Sequence, residues 1–232
     1  MDIYWEGLKE AGRLIIHLDP EVLEVFLLSL YVSGTAVVLG MLLGIPLGTL
    51  LALNRFPGRG IVLGIVHTFM GLPPVVVGLF VFIALSRNGP LGGLELLFTP
   101  SAMIVAQLIL VTPIIAGFSH AAIGDINPKL IWQAHSLGAS GIQLVLTLLR
   151  EARFGLIAAA IAGFGRVIAE VGAVMMVGGN LKGTTRVMTT FIVEETRKGN
   201  WPRSIALGLI LIFFAYLINL ALTRLQRGSE MR

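Results

Sequence analysis

Two side chains of opposite charge lie four residues apart inside an apolar run long enough to cross a membrane. Arg166 and Glu170 fall within residues 153–178, which are otherwise rich in Ile, Ala, Val and Gly. A spacing of four places two side chains on one face of a helix. Charged groups at membrane depth are costly and usually face a bundle interior or a cavity. The pair predicts either a structural ion pair that locks helices together or a polar group at a pathway or gate.

A second set of polar residues follows that run, after Gly178 and Gly179. Its members are Asn180, Thr184, Thr185 and Arg186. Backbone amides at a helix N-terminus, hydroxyl groups and a guanidinium suit transient contact with an oxyanion, and nearby positive charge attracts a divalent anion. Ordinary helix capping with solvated charges is the alternative.

Three prolines interrupt apolar runs and are candidates for lining a path through the protein. Pro73 and Pro74 are adjacent within residues 61–85, and Pro113 lies within residues 100–119. Each proline removes a backbone donor and predicts a break or a kink. A membrane tolerates the freed carbonyls only where protein or a water-lined cavity satisfies them.

Other kinds of chemistry are not indicated. The histidines at positions 17, 67, 120 and 135 are widely spaced and form no pair at metal-ligand spacing. The sequence has neither an HExxH motif nor a Ser, His and carboxylate arrangement. It has no Gly-Lys dipeptide, so it contains no phosphate-binding Walker A loop. We expect no metal, no cofactor and no catalytic activity in this chain.

The composition is that of an integral membrane protein. Of 232 residues, 56% are hydrophobic and 13% are charged, whereas a soluble domain has about 25% charged residues. The net charge of +4 comes from Lys and Arg scattered in loops and tails. Such charge orients a chain in a bilayer and does not form a nucleic-acid-binding face. Lipid is therefore an expected partner, and nucleic acid is not.

We predict an all-α polytopic fold with about five membrane-spanning helices. A span takes about 20 apolar residues, and the runs that qualify are residues 22–53, 61–85, 100–119, 153–178 and 204–225. Glycines at 34, 40, 44 and 48 would let helices approach closely. Residues 184–200 are too short to span and predict a helix that enters the bilayer and returns.

Residues 1–21 predict an amphipathic helix that lies in the membrane interface. Tyr4, Leu8, Ala11 and Ile15 share one side at helical spacing, and charged residues occupy the other side. This segment would precede the membrane domain at residues 22–225.

Short-loop Lys and Arg predict the orientation of the chain in a plasma membrane. The positive-inside rule places the N-terminus outside and the C-terminus, with a tail at 226–232, in the cytoplasm. The 179–203 segment conflicts with this topology, because five basic residues would face outward against only Glu194 and Glu195.

The polar stretch at residues 125–150 carries start and stop signals for a short helix. Asp125 or Asn127 can cap its start, Pro128 suits its first position, and Gly138 can adopt the left-handed conformation that ends it. We expect a rigid, half-apolar projection into the cytoplasm. It is either an interfacial connector or a handle that a soluble partner grips.

A second helix should follow at once. Ser140 and Gln143 form a capping-box pattern. The side chains predicted for its inner face are Ile142, Leu146 and Leu149.

This stretch, "QAHSLGAS" followed by "LLREARFG", resembles the coupling loop of ATP-binding-cassette (ABC) importer permeases. The family pattern is Glu-Ala-Ala, three residues, Gly, nine residues, an aliphatic residue, any residue, then Leu-Pro. We assign Gly138 to the glycine, Leu148 to the aliphatic position and residues 133–135 to Glu-Ala-Ala. Gln133 then replaces Glu, and Arg150 with Glu151 replaces Leu-Pro. The coupling residues implied are Gln133, Ala134, His135, Ser136, Leu137, Gly138 and Ala139.

The resemblance covers nearly the whole chain. The motifs "HLDPEV", "LNRFPGRG", "GLPPVVVGL", "AEVGAVMMVGGN" and "TRVMTTFIVEETRKG" are similar to those of tungstate-type oxyanion importer permeases, which are related to molybdate permeases. It implies the type I permease fold and a homodimer that transports tungstate or another oxyanion. It also implies two copies of a cytoplasmic ATPase that binds ATP and Mg, and an external oxyanion-binding protein. An autonomous channel or proton-coupled carrier is the alternative from a different class.

Overall fold

The computed structural model describes residues 2–17 and 19–228, and over these ranges it is helical without strands. The helices are α1 (Asp2–Ile16), α2 (Pro20–Leu53), α3 (Arg59–Met70), α4 (Pro74–Leu85), α5 (Pro100–Gly124), α6 (Pro128–Ser136), α7 (Gly141–Glu151), α8 (Arg153–Ile168), α9 (Gly172–Gly178), α10 (Met188–Arg197) and α11 (Trp201–Gly228). A 3₁₀ turn at Gly92–Leu94 lies between α4 and α5. The prediction of an all-α fold is confirmed.

Three of the described helices, α2, α5 and α11, are each long and apolar enough to cross a membrane. Two further spans are broken. Helices α3 and α4 meet at an angle of 99°, and α8 and α9 meet at 60°. Counting each bent pair as one span gives up to five crossings, which agrees with the number predicted.

Helices α2 and α5 pack along each other through small residues. A Cβ on Gly48 of α2 would lie 2.5 Å from the carbonyl oxygen of Ala116 on α5, and Gly44 would meet the backbone of Thr112 at 2.9 Å. Gly40 is similarly close to Val111. Close approach of glycine faces is thus confirmed for these three positions. Gly34 has no described atom within 4 Å of such a Cβ, so it does not take part in this contact.

The break between α3 and α4 falls at the predicted proline pair. Pro73 is extended, with φ −64° and ψ 122°, and Pro74 begins α4, since proline suits the first position of a helix. Pro113 behaves differently, because α5 continues through it as a helix. The hydroxyl of the preceding Thr112 donates to the carbonyl of Leu108 at 2.7 Å.

The second halves of the two broken spans lie against each other. A Cβ on Gly78 of α4 would be 2.7 Å from the Cα of Ala173 on α9. Around this contact Val77, Val81, Val174 and Val177 belong to one buried apolar cluster. Helices α4 and α9 therefore form a close-packed pair with almost no space between their backbones.

The N-terminal helix packs on α11. Ala11 and Leu14 are buried in a cluster with Ala206 and Leu207, and Gly7 lies against Ile205. Of the predicted apolar side Ala11 is buried against the protein, and Tyr4, Leu8 and Ile15 are exposed. That this side lies in the membrane interface stays a prediction. At the C-terminal end of the chain, α11 continues to Gly228, so the predicted tail at 226–232 begins as helix. Residues 229–232 lie outside the described part.

Candidate functional site

The predicted start and stop signals of the projecting loop are present in the structure. The carboxamide oxygen of Asn127 accepts from the backbone N–H of Lys129 at 3.0 Å, and Pro128 is the first residue of α6. Gly138 ends the helix with φ +77°. Asp125, the alternative cap, instead ends α5.

The capping box of α7 is also confirmed, but its predicted inner face is wrong. The hydroxyl of Ser140 accepts from the N–H of Gln143, whose side chain accepts from the N–H of Ser140 at 2.8 Å. Leu148 is fully buried, whereas Ile142 and Leu146 are exposed. The run from Leu144 to Leu149 has apolar residues on several sides of the helix, so the sequence does not show which side is buried. The packing of α7 against α8 buries Leu148.

Helix α6 presents its apolar side chains outward. None of its residues is buried, and Trp132 and Leu137 are 75% and 88% exposed. Two of its polar side chains bond within the helix: Ser136 donates to the carbonyl of Trp132 at 2.9 Å, and His135 Nδ1 lies 2.9 Å from the carbonyl of Ile131. Of residues 133–139, Ala134 and Ala139 are half-buried and the others are exposed. Helix α6 is therefore a capped helix that exposes large apolar side chains.

The motif assignment within α6 needs a shift of one residue. With Gly138 at the glycine, a spacer of three residues leaves Trp132, Gln133 and Ala134 at the Glu-Ala-Ala positions. The residue that replaces the glutamate is therefore the exposed Trp132, and Gln133 falls at the first alanine.

The Arg166 and Glu170 pair is present, but not on one continuous helix. Helix α8 ends at Ile168, so Glu170 lies in the break before α9. Its Oε2 is 3.0 Å from Arg166 Nη1, and its Oε1 accepts from the backbone N–H of Ala173 at 3.1 Å. Glu170 is 5% exposed. One buried carboxylate thus neutralises the arginine and caps the first turn of α9.

Two further hydrogen bonds hold this break, which we call the Glu170 break (residues 169–171). Gln107 of α5 donates from Nε2 to the carbonyl of Val167 at 3.0 Å. Thr189 of α10 donates from its hydroxyl to the carbonyl of Glu170 at 2.8 Å. Sequence reasoning missed Gln107, a buried amide in an apolar helix. A polar side chain within an apolar run was the signal that could have indicated a buried hydrogen bond.

A cluster of ion pairs joins the 179–203 segment to the start of α2. We call it the Glu21 cluster, and its members are Glu21, Lys182, Arg186, Glu194, Lys198 and Arg203. The carboxylate of Glu21 forms ion pairs with Lys182 at 2.9 Å, Arg186 at 3.1 Å and Arg203 at 3.0 Å. Four of the five basic residues that conflicted with the topology are therefore paired with carboxylates. Sequence reasoning missed Glu21 because its partners lie more than 160 residues away.

Arg186 is the buried centre of the Glu21 cluster. It is 8% exposed and bonds both Glu21 and Glu194, the latter at 2.8 Å. Its guanidinium also stacks over Phe191, 5.1 Å from the ring centroid, and that of Arg203 lies 5.3 Å from the same ring. In this conformation both terminal nitrogens of Arg186 are bonded within the protein, and its Nε is buried without a hydrogen-bond partner among the described residues. Its contact with a transported oxyanion stays a prediction.

The neighbouring polar candidates are mostly engaged by the loop itself. Thr185 is fully buried, donates to the carbonyl of Gly178 and accepts from the N–H of Leu181. Asn180 has φ +53° and donates to Glu194 at 2.7 Å. Thr184 is exposed. Capping and packing account for most of these contacts.

The charges around Glu194 shift its titration. Burial alone would raise the pKa of Glu194, but hydrogen bonds from Lys198 and Asn180 and the charge of Arg186 outweigh it and hold the pKa below the ordinary 4.5. The hydrogen bonds of Lys198 to Glu194 and Glu195 raise the pKa of Lys198. Both shifts favour the charged pair.

Comparison with known proteins defines the class of this fold. A chain of the MetNI methionine ABC transporter, in inward-facing conformations, superposes with a TM-score of 0.71 at 24% identity over 93% of this chain and 97% of that one. A chain of a bacterial alginate ABC transporter, solved with a periplasmic protein carrying an alginate pentasaccharide, gives a TM-score of 0.72 at 21% identity over 90% of this chain and 79% of that one. The fold is that of the permease subunits of type I ABC importers.

Sequence similarity gives the family. The chain belongs to the family of binding-protein-dependent transport system inner membrane components, whose sequence model matches residues 44–232. It is 38% identical to the tungstate uptake system permease protein TupB of Peptoclostridium acidaminophilum, over 97% of this chain and 99% of the relative. The TupB protein of Campylobacter jejuni is also 38% identical, over 98% and 95%. The molybdenum transport permease ModB of Escherichia coli K12 is 28% identical, over 92% and 98%.

Proposed function

We propose that this chain is the permease subunit of a tungstate ABC importer. It forms a homodimer, binds two copies of a cytoplasmic ATPase and receives tungstate from an external binding protein. The observation that carries the proposal is the 38% identity to two tungstate uptake permeases over nearly the full length of each chain. The lower identity to the molybdenum permease, 28%, favours tungstate over molybdate.

The exposed helix α6 supports an ATPase partner. An ATPase that drives transport from outside the chain needs a rigid surface through which to push. Helix α6 is capped at both ends and exposes Trp132 and Leu137 beside polar Gln133 and Ser136. Apolar anchors within a polar rim are typical of protein interfaces. ATP and Mg would bind to the ATPase, and this chain would transmit the motion.

The Glu21 cluster supports an orientation with the N-terminus outside and α6 in the cytoplasm. The conflict with the positive-inside rule came from the basic residues of the 179–203 segment. Four of them pair with Glu21, Glu194 and Glu195, whose three carboxylates offset three of the four positive charges. The remaining short-loop basic residues, including Arg55, Arg59, Lys129 and Arg150, then lie on the cytoplasmic side with α6.

The broken spans are the elements best placed to gate a path between two copies. Each has a bend close to polar or proline residues, at Pro73 and at Glu170. A permease must release its substrate, so tight binding within the path would oppose transport, because a ligand favours only the states that it binds better. We therefore place substrate selection mainly in the external protein, with Asn180, Thr184 and Arg186 as candidates for brief contacts at the entrance.

The decisive experiment is reconstitution of the purified permease in liposomes with its ATPase and binding protein. We expect tungstate uptake that requires ATP and all three components. Uptake that persists without the ATPase would overturn the proposal in favour of an autonomous channel or carrier. A binding protein that takes molybdate and not tungstate would leave the ABC permease role intact and correct the substrate.

A further inference from the structure

A cavity with two contrasting parts lies where α1, α2 and α11 meet. The first part is apolar and is lined by Leu14, Ile15, Val22, Leu23, Phe26, Ile210 and Phe214, with Asp19 at one end. The second part is polar and is lined by Glu10, Arg13, His17, Asp19, Arg203, Leu14 and Pro20. Leu14 and Asp19 line both parts, so the two are adjacent.

The position of this cavity suits the boundary between headgroups and acyl chains. Helix α1 carries Lys9 5.5 Å from the ring of Trp5, and Tyr4 and Trp5 are exposed, which is typical of a membrane interface. From Asp19 the apolar part extends along α2 to Phe26, seven residues or about 10 Å further into the bilayer. That depth is about a third of a 30 Å hydrocarbon core.

The polar part presents charges of both signs. Arg203 is held in place by Glu21, 3.0 Å away, and by the ring of Phe191. Arg13 is 72% exposed and lies 3.7 Å from Glu10, an ion pair too long for a hydrogen bond. Glu10 and Asp19 supply two carboxylates beside these two guanidiniums. Oδ1 of Asp19 accepts from the backbone N–H groups of Glu21 and Val22 at the start of α2, so its other oxygen, Oδ2, is the one that would face a ligand. A ligand of matching charge would carry an anion and a hydrogen-bonding cation within a few ångströms of each other.

We propose that this cavity binds one phospholipid with a zwitterionic, primary-amine headgroup. The phosphate contacts Arg13 and Arg203, and the ammonium contacts Glu10 and Asp19. One acyl chain lies in the apolar part between Leu23, Phe26 and Phe214. The lipid fills the space between α1 and α2 and so secures α1 against the bundle. This site is independent of the transported anion, so it can be tested without transport.

The test is native mass spectrometry of the full-length permease after exchange into phosphatidylethanolamine, phosphatidylcholine or phosphatidylglycerol. We expect one retained phosphatidylethanolamine per chain. Phosphatidylcholine should be retained less because its quaternary ammonium donates no hydrogen bond to a carboxylate. Arg13→Gln should lower retention by roughly fivefold, the upper end for one accessible charge contact. Arg87→Gln, at an exposed arginine in the loop after α4, is the matched control and should change nothing.

A second variant tests the acyl chain. Leu23→Trp fills the apolar part, while Leu27→Trp places the same side chain on an exposed position of α2 that does not line the cavity. We expect loss of the lipid only in Leu23→Trp, with both variants eluting as the unmodified protein does. Equal retention of the three lipids, or equal retention by the two tryptophan variants, would overturn the proposal. So would a disulfide between two copies carrying Leu23→Cys, since a second protein would then occupy the face.

Discussion

Arg166 Nη1 lies 3.0 Å from Glu170 Oε2 across the end of helix α8. The carboxylate is almost fully buried and the arginine side chain is 35% exposed, so the two partners differ in what they lose when the pair is broken. Arginine can regain water, but an unpaired buried carboxylate cannot.

Removing the arginine should therefore cost more than removing the charge of the glutamate. We expect Arg166→Gln to lower the free energy of unfolding by about 3 kcal/mol because it leaves a buried charge without its partner. Glu170→Gln keeps an acceptor for the N–H of Ala173 and should cost about 1 kcal/mol. Thermal unfolding in detergent measures both. A larger loss in Glu170→Gln would contradict this account.

The same variants separate structure from gating. If Glu170 acts at a gate, Glu170→Gln should reduce ATP-dependent tungstate uptake by at least about tenfold, more than 1 kcal/mol of stability explains. Expression and ATPase assembly should stay unchanged. Reduced uptake that merely follows loss of folded protein would assign the pair a structural role alone.

Arg186 should stabilise the protein far more than Lys182, although both bond Glu21. Arg186 is buried between two carboxylates, whereas Lys182 is 69% exposed. We expect Arg186→Gln to cost about 3 kcal/mol and Lys182→Gln less than about 1 kcal/mol. Unfolding temperatures decide this. Uptake at limiting tungstate, measured on the folded fraction of Arg186→Gln, also tests the predicted anion contact, which fails if the rate is unchanged.

Acid should weaken the Glu21 cluster. Because the pKa of Glu194 is lowered in the folded state, the stability that its charge contributes is complete above the ordinary value of 4.5 and is lost as pH falls through the lowered pKa. We expect the unfolding temperature to drop below about pH 4.5. The Glu194→Gln variant should have a lower unfolding temperature at pH 7, and that temperature should fall less steeply as the pH is lowered. Parallel curves for the two proteins would contradict the assignment.

The glycine contacts between α2 and α5 can be tested within one helix. Gly48→Ala forces a Cβ to within 2.5 Å of Ala116 O and should destabilise the protein by about 1–3 kcal/mol through overpacking. Gly34→Ala meets no described atom and should be neutral or stabilising by up to about 1 kcal/mol. Differential scanning calorimetry of the purified variants measures both effects. Equal shifts in unfolding temperature would contradict close packing at Gly48.

The apolar tip of α6 should matter for coupling and not for folding. Leu137 is almost fully exposed, so Leu137→Ser should change stability by less than about 0.5 kcal/mol. Loss of an interface anchor should weaken ATPase binding by at least about tenfold. Ile142→Ser, at an exposed apolar residue across the turn, is the matched control. Copurification with the ATPase measures the difference, and equal binding by both variants would argue against α6 as the handle.

Local signals in the sequence predicted local structure well. Asn127, Pro128, Gly138 and the Ser140 capping box act within a few residues, and all do what their spacing indicates. The proline pair at Pro73 likewise marks a real break. These features depend on backbone geometry that neighbouring residues fix on their own.

Features that depend on distant contacts were missed or wrong. The Glu170 break contains no proline, and it is held by Gln107 and Thr189 from other helices. Glu21 meets Arg186 and Arg203 only after the chain has folded. The buried face of α7 could not be chosen from its own periodicity, because this helix carries apolar residues on more than one side.

The contact of Gly78 with Ala173 constrains how the two broken spans can move. Because the backbones are this close, we expect α4 to clash with α9 if it slides or turns past it. We therefore expect the two short helices to move together as one unit, pivoting at Pro73 on one side and at Glu170 on the other. A displacement that starts at either pivot is delivered to both spans at once.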